Sequence, residues 1–137
     1  VLVGRDDSIH FLEVGPRAGG NMIPIQLSDA FGVDLIEANI KICMGESVEL
    51  NPVSAKGAFM TYVLHSNVDG IFSGISIAPE LKSAVYRQVI YKRQGDRVEA
   101  FDGAGKAVGI VFLHFSDKSA MDLAEIDIES KILVDVL

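Results

Sequence analysis

The sequence predicts an α+β fold: a strand pair and two helices, followed by a small, mainly antiparallel β-rich lobe with a short helix. Three observations predict it. Two short apolar runs, Val1-Leu2-Val3 and Ile9-His10-Phe11-Leu12, flank Gly4-Arg5-Asp6-Asp7-Ser8, whose composition is that of a hairpin turn. Residues 22–44 carry apolar side chains at helical spacing, punctuated by Gly32 and Gly45. From residue 58 the pattern becomes short β-branched and aromatic runs between Gly, Asp and Asn.

In chain order, the hairpin comes first. Residues 22–31 then read as a helix, with Pro24 in its first turn, where a missing N–H is harmless, and Gly32 closing it. Asp34, with Glu37 three residues on, resembles a capping box for a second helix running through Met44 to a stop at Gly45. Ile36, Ile40, Cys43 and Met44 share one face of it and are expected in the core. A polar stretch with Asn51-Pro52 marks a linker at 47–56, dividing an N-terminal piece, 1–46, from the lobe, 57–137.

In the lobe, strands are expected at 58–65, 71–77, 85–92, 98–101 and 107–115, as a largely antiparallel meander. A few helical residues are expected around 79–82. Ser116 or Asp117 can cap a helix to about Ile128, and Ile132, Val134 and Val136 alternate like a final strand. Arg87, Lys92, Arg93 and Arg97 read as the solvated side and turn of a hairpin. Residues 102–106 lack the spacing of a phosphate loop and read as a turn. His10, His65 and His114 lie in strand patterns without metal-ligand spacing and read as structural.

Composition narrows the classes of function. Twelve basic against 19 acidic residues give a net charge of −7, and no Lys/Arg cluster supports a nucleic-acid partner. No apolar run is long enough to span a bilayer, and the N-terminus has no signal-peptide pattern. Cys43, the single cysteine, excludes an internal disulfide, fits a reducing, cytoplasmic setting and reads as a buried structural thiol.

The chemistry concentrates in Phe11-Leu12-Glu13-Val14-Gly15-Pro16-Arg17-Ala18-Gly19-Gly20-Asn21. An apolar strand ends at Glu13, a hard oxygen ligand suited to Mg²⁺. Arg17 is a bidentate oxyanion donor, and Gly19-Gly20 lets backbone N–H groups approach an anion. The following helix points its positive end at the same spot. Two roles are open to Asn21, the N-cap of that helix and a ligand or substrate contact; Arg17 has a structural ion pair as its alternative.

This stretch resembles the late strand-and-loop motif of the ATP-grasp ligases, Phe/Leu, Ile/Leu, Glu, Ile/Val, Asn, any residue, Arg, any residue, Gly/Ser, Gly. The similarity extends through Gly32-Val33-Asp34-Leu35 and Met44-Gly45-Glu46, and so covers residues 1–46. It implies the C-terminal part of an ATP-grasp catalytic domain, followed by the small lobe such enzymes often carry. By the same resemblance the complete enzyme uses ATP and Mg²⁺ to turn a carboxylate into an acyl phosphate, which an amine attacks. Glu13 would hold Mg²⁺, Arg17 would act catalytically on phosphate or carboxylate, and Gly19, Gly20 and Asn21 would bind phosphate or substrate.

The first metal ligand of the family is expected just upstream of Val1, and the sequence departs from the pattern at Gly15, where many members have a metal-binding Asn. The implied partners are small carboxylate and amine substrates, the N-terminal part of the same protein and a further copy of the chain. Without the ATP-binding lysines and adenine-hinge strand, the chain alone is expected neither to bind ATP tightly nor to turn over. Two alternatives stand beside the ligase: a bicarbonate-using member like carbamoyl-phosphate synthase or biotin carboxylase, and a noncatalytic binding or dimerisation module with a vestigial motif.

Overall fold

The computed structural model describes residues 2–13, 15 and 19–137; Val1, Val14 and residues 16–18, Arg17 among them, lie outside the described residues. The hairpin forms, β1 (Leu2–Val3) antiparallel to β2 (Ile9–His10), but β2 stops at His10, so Phe11, Leu12 and Glu13 lie beyond the strand and Glu13 does not stand at its end as expected. Its turn closes because Asp7 takes a left-handed φ of 60° and the Asp6 carboxylate accepts from the Ser8 hydroxyl at 2.6 Å. That hydroxyl also lies 3.0 Å from Nε2 of His10.

Helix α1 (Ile23–Phe31) ends at Gly32, whose φ of 67° is the left-handed stop expected of glycine. Asp34 caps α2 (Leu35–Cys43), accepting from the amides of Ile36 at 3.0 Å and Glu37 at 2.8 Å. Ser28 ties the two helices, donating to the Pro24 carbonyl and accepting from the Leu35 amide.

One expectation fails on α2. Ile36, Ile40 and Met44 are 47%, 55% and 71% exposed, Cys43 is exposed as well, and Ala38 is the helix's one buried residue. The helical period was right, but periodicity gives a face and not what covers it. The described residues bring no element over this face.

The lobe contains β3 (Ala58–Leu64), β4 (Gly70–Ile77), α3 (Pro79–Lys82), β5 (Val85–Ile90), β6 (Arg97–Val98), a 3-10 turn (Ala104–Lys106), β7 (Gly109–Phe115), α4 (Lys118–Glu125), α5 (Ile128–Lys131) and β8 (Ile132–Val136). Pairing is antiparallel but not a meander. The strands form two three-stranded sheets, ordered β3-β7-β5 and β6-β4-β8. Consecutive strands β3 and β4 part company, because β7 pairs with β3 from Ala58↔Phe115 to Leu64↔Gly109 while β8 pairs with β4. The expected hairpin of β5 and β6 is likewise absent: they belong to different sheets. The helix before β8 is broken into α4 and α5, and Asp117 caps α4 by accepting from Ala120 at 2.9 Å.

β7 sits at the centre of its sheet, and this explains the apolar run Ile110-Val111-Phe112-Leu113 within it. Val111, Leu113 and Phe115 face a core shared with Leu64, Phe72, Val98 and Ile132 from the neighbouring elements. Phe112 and Ile110 alternate to the other face and are as fully buried, outside that cluster. Phe59, Thr61 and Val63 of β3 share this second face, opposite His114, Phe112 and Ile110, and α1 packs against β3. The sheet is therefore covered on both sides.

Two of the histidines pack against the lobe's aromatic rings. Nε2 of His114 lies 2.7 Å from the Lys56 carbonyl and its ring stacks on Phe59 at 4.5 Å, while His65 lies against Phe101. Thr61 is the odd residue of the second face, since its hydroxyl is buried with no hydrogen-bond partner among the described residues. Leaving such a group unpaired costs about 1–3 kcal/mol. Thr61→Val, similar in shape, is expected to raise stability by about 1 kcal/mol in a urea titration.

Candidate functional site

Strand β2 leads into an exposed segment that carries Glu13. Among the described residues no group of three or more His, Cys, Asp or Glu side chains could hold a metal ion. Arg17 lies outside the described residues.

The chain re-enters the description at Gly19-Gly20 and turns sharply. The Gly20 carbonyl accepts from the Ile23 amide at 3.1 Å across Asn21 and Met22, whose φ values of 51° and 56° are both left-handed, as a type I′ turn requires. This corrects the capping role of Asn21. Met22 occupies the cap position and makes no side-chain capping bond, while Asn21 is used for its tolerance of the left-handed conformation. The amides of Gly20, Asn21 and Met22 have no acceptor among the described residues, and α1 has no acidic residue in its first turn.

The glycines here differ in kind from those of the lobe. A Cβ on Gly109 would meet the Val89 carbonyl oxygen at 2.5 Å, so packing excludes a side chain there. A Cβ on Gly20 would meet nothing within 4 Å, and Gly20 has no positive φ; a Cβ on Gly19 would touch Ile23 at an ordinary 3.5 Å. Nothing described inside the fold requires glycine at 19 or 20. What a missing side chain leaves open is the backbone, to a group approaching from outside.

At the other end of α1 lies a cluster that no local sequence signal reveals, its members being 58 residues apart. Asp29 pairs with Arg87 of β5 at 3.1 Å, and the guanidinium lies 5.8 Å from the centre of the Phe112 ring. Arg87 is exposed as expected, but it ties helix to sheet and does not belong to a hairpin. Burial, reinforced by the neighbouring Asp29 carboxylate, pushes the Tyr86 phenol up to about 12. The phenol stays neutral longer in the folded chain than its usual value of 10 allows in the unfolded one. Its stabilisation is therefore complete below pH 10 and disappears as pH rises toward 12. Denaturant midpoints of the wild type should fall across that window more steeply than those of Tyr86→Phe.

Asn21 also lines a shallow groove of about 370 Å³. It runs between α1, β3 and α4 and takes in Gln26, Thr61 and Glu125. A second depression, about 440 Å³, lies beside Asp29 and Arg87. No helix among the described residues is long and apolar enough to cross a membrane.

No family model matches the sequence, and no curated protein does. Two solved structures share its fold. The L-amino acid ligase from Bacillus licheniformis superposes with a TM-score of 0.67 at 14% identity, over 98% of this chain and 36% of its own. The phosphoribosylglycinamide synthetase from Anaerococcus prevotii gives 0.65 at 13% identity, over 88% of this chain and 32% of its own. The chain thus spans about a third of the length of each, and has the fold of part of these two enzymes.

Proposed function

We propose that this chain is the carboxyl-terminal, metal- and phosphate-facing part of an ATP-grasp ligase, which in complete form uses Mg-ATP to activate a carboxylate as an acyl phosphate for attack by an amine. The observation that carries the reading is the Gly19-Gly20 pair, left bare where packing does not ask for glycine and, at Gly20, backbone conformation does not either. It stands at the positive end of α1, beside amides with no described acceptor. The fold shared with two enzymes of this class supports it.

In this reading Glu13 is a Mg²⁺ ligand, the Gly19 and Gly20 amides face phosphoryl oxygens, and Arg17 neutralises charge on phosphate or carboxylate. The metal, when bound, screens the charge of the transferring phosphoryl group. Asn21 serves by keeping the turn tight, which holds the amides toward the anion. The partners are small carboxylate and amine substrates, the remaining part of the ligase and a second copy of the chain.

The test is a titration of the isolated chain with inorganic pyrophosphate, with and without Mg²⁺, followed by amide NMR. Shifts are expected at Gly20 and Asn21, strengthened by Mg²⁺ in the wild type but not in Glu13→Ala. Gly20→Ala should leave thermal stability within about 0.5 kcal/mol of wild type and weaken the response. A chain whose loop amides ignore pyrophosphate is not a phosphate-facing part of anything, and the noncatalytic module is then the better reading.

A further inference from the structure

We infer that the turn between β5 and β6, with the strand surface beside it, docks an acidic segment of a partner protein that also carries an apolar side chain. The chain's formal charge is −7, yet Lys92, Arg93 and Arg97, three of its 12 basic residues, fall within six positions. None of the three forms an ion pair among the described residues. The acids around them are engaged elsewhere. Asp96 accepts from the Arg93 amide at 2.7 Å inside the turn, Glu99 lies 4.0 Å from Lys106, and Asp135 accepts from the Ser76 hydroxyl at 2.8 Å. One turn of an acidic chain thus presents positive charge to the solvent, and that field steers an anionic group to it.

The turn is also fixed in shape. The Asp96 amide donates to the Arg93 carbonyl at 3.0 Å, and Gly95 takes a left-handed φ of 94° between them. Two further bonds strap the turn to β4, from the Gly95 amide to the Phe72 carbonyl and from the Phe72 amide to the Asp96 carbonyl. The Lys92 ammonium crosses the neck and donates to the Arg97 carbonyl at 2.9 Å. A backbone already ordered before a partner arrives lowers the entropic cost of binding.

The neighbouring surface decides what kind of anion fits. Arg97 stands opposite Ile71 of β4, and on its other side Ile71 exchanges both backbone hydrogen bonds with Leu137. Residues directly opposite share a face, and Val98 and Phe72, next along the two strands, point into the core. Arg97, Ile71 and Leu137 therefore form an exposed row across the outer side of the sheet, with Tyr91 exposed just before the turn. Arginine and tyrosine beside aliphatic surface are the composition of a protein interface. A phosphate backbone gains nothing from the apolar row, and the net charge of the chain repels a long polyanion. The ligase reading uses none of these residues, and the inference does not rest on it.

The probe is the capped pentapeptide Glu-Glu-Leu-Glu-Glu, compared with Gln-Gln-Leu-Gln-Gln, Glu-Glu-Gly-Glu-Glu and a pentathymidylate, each titrated into the full chain by amide NMR. The acidic leucine peptide is expected to shift Arg93, Gly95, Arg97 and Ile71. It should bind about fivefold more tightly than the glutamine peptide, a difference that fades as salt rises to about 1 M. Exchanging its leucine for glycine should weaken it about threefold, and the oligonucleotide should bind less tightly than it does.

Arg93→Gln combined with Arg97→Gln should weaken the acidic leucine peptide about fivefold. Lys82→Gln combined with Lys131→Gln removes the same charge at the far end of the β4 and β8 pairing, beyond Ile77 and Ile132, and should leave binding within about twofold. Equal binding of the acidic and glutamine peptides, or of the leucine and glycine peptides, overturns the inference. So does an oligonucleotide that matches the acidic leucine peptide, or an equal effect of the two pairs of substitutions.

Discussion

Phe112→Ala is expected to destabilise the chain by about 3–5 kcal/mol, a large share of the 5–15 kcal/mol that holds a typical domain together. Phe112 has no exposed surface, yet it lies outside the main core, on the face of β7 that looks toward α1. Its ring touches the Tyr86 cluster at a centroid distance of 6.0 Å and carries the Arg87 guanidinium above it. Truncation leaves a cavity in the second core and removes the platform of the Asp29–Arg87 pair. Chemical denaturation measures the loss. A cost below about 1 kcal/mol would mean that the helix pair does not seal this face of the sheet.

Gly57→Ala should cost about 2–4 kcal/mol, for reasons unlike those at Phe112. Gly57 has a φ of 83°, and a Cβ there would collide with the Phe115 carbonyl and come within 2.6 Å of Nε2 of His114. The same histidine nitrogen bonds the Lys56 carbonyl, so relieving the collision breaks the contact that starts β3 against the end of β7. Thermal melts of Gly57→Ala and Gly20→Ala make a matched pair. The first should melt far below the wild type and the second beside it, although both replace a glycine with the same residue.

That contrast marks what the sequence could and could not convey. Both positions are written with the same letter, and only the surroundings separate a glycine that packing requires from one that packing does not. Element types were legible because they depend on local signals: Asp34 and Asp117 cap the helices the pattern assigns to them, and Gly32 stops α1 in the left-handed conformation. Pairing was not legible. Whether β3 takes β4 or β7 depends on contacts across some 50 residues, and a run such as 109–115 reads the same in either arrangement.

At the candidate site the legible part was chemical type. Glu13 and Gly20 stand exposed, whereas the cap at Asn21 moved to Met22 because a left-handed turn intervenes before the helix starts. The exposed face of α2 shows the limit from the other side. Ile36, Ile40 and Met44 keep perfect helical phase, but burial requires a neighbour, and no described residue supplies it.

The order of strands also bears on how the polypeptide reaches its native state. β4 is complete by Ile77, yet its long antiparallel partner is β8, at 132–136. On a ribosome the earlier segment must wait, with one hydrogen-bonding edge unsatisfied, until nearly the whole lobe has emerged. Such delayed closure makes for slow folding and gives chaperones, or aggregation, time to reach β4 first.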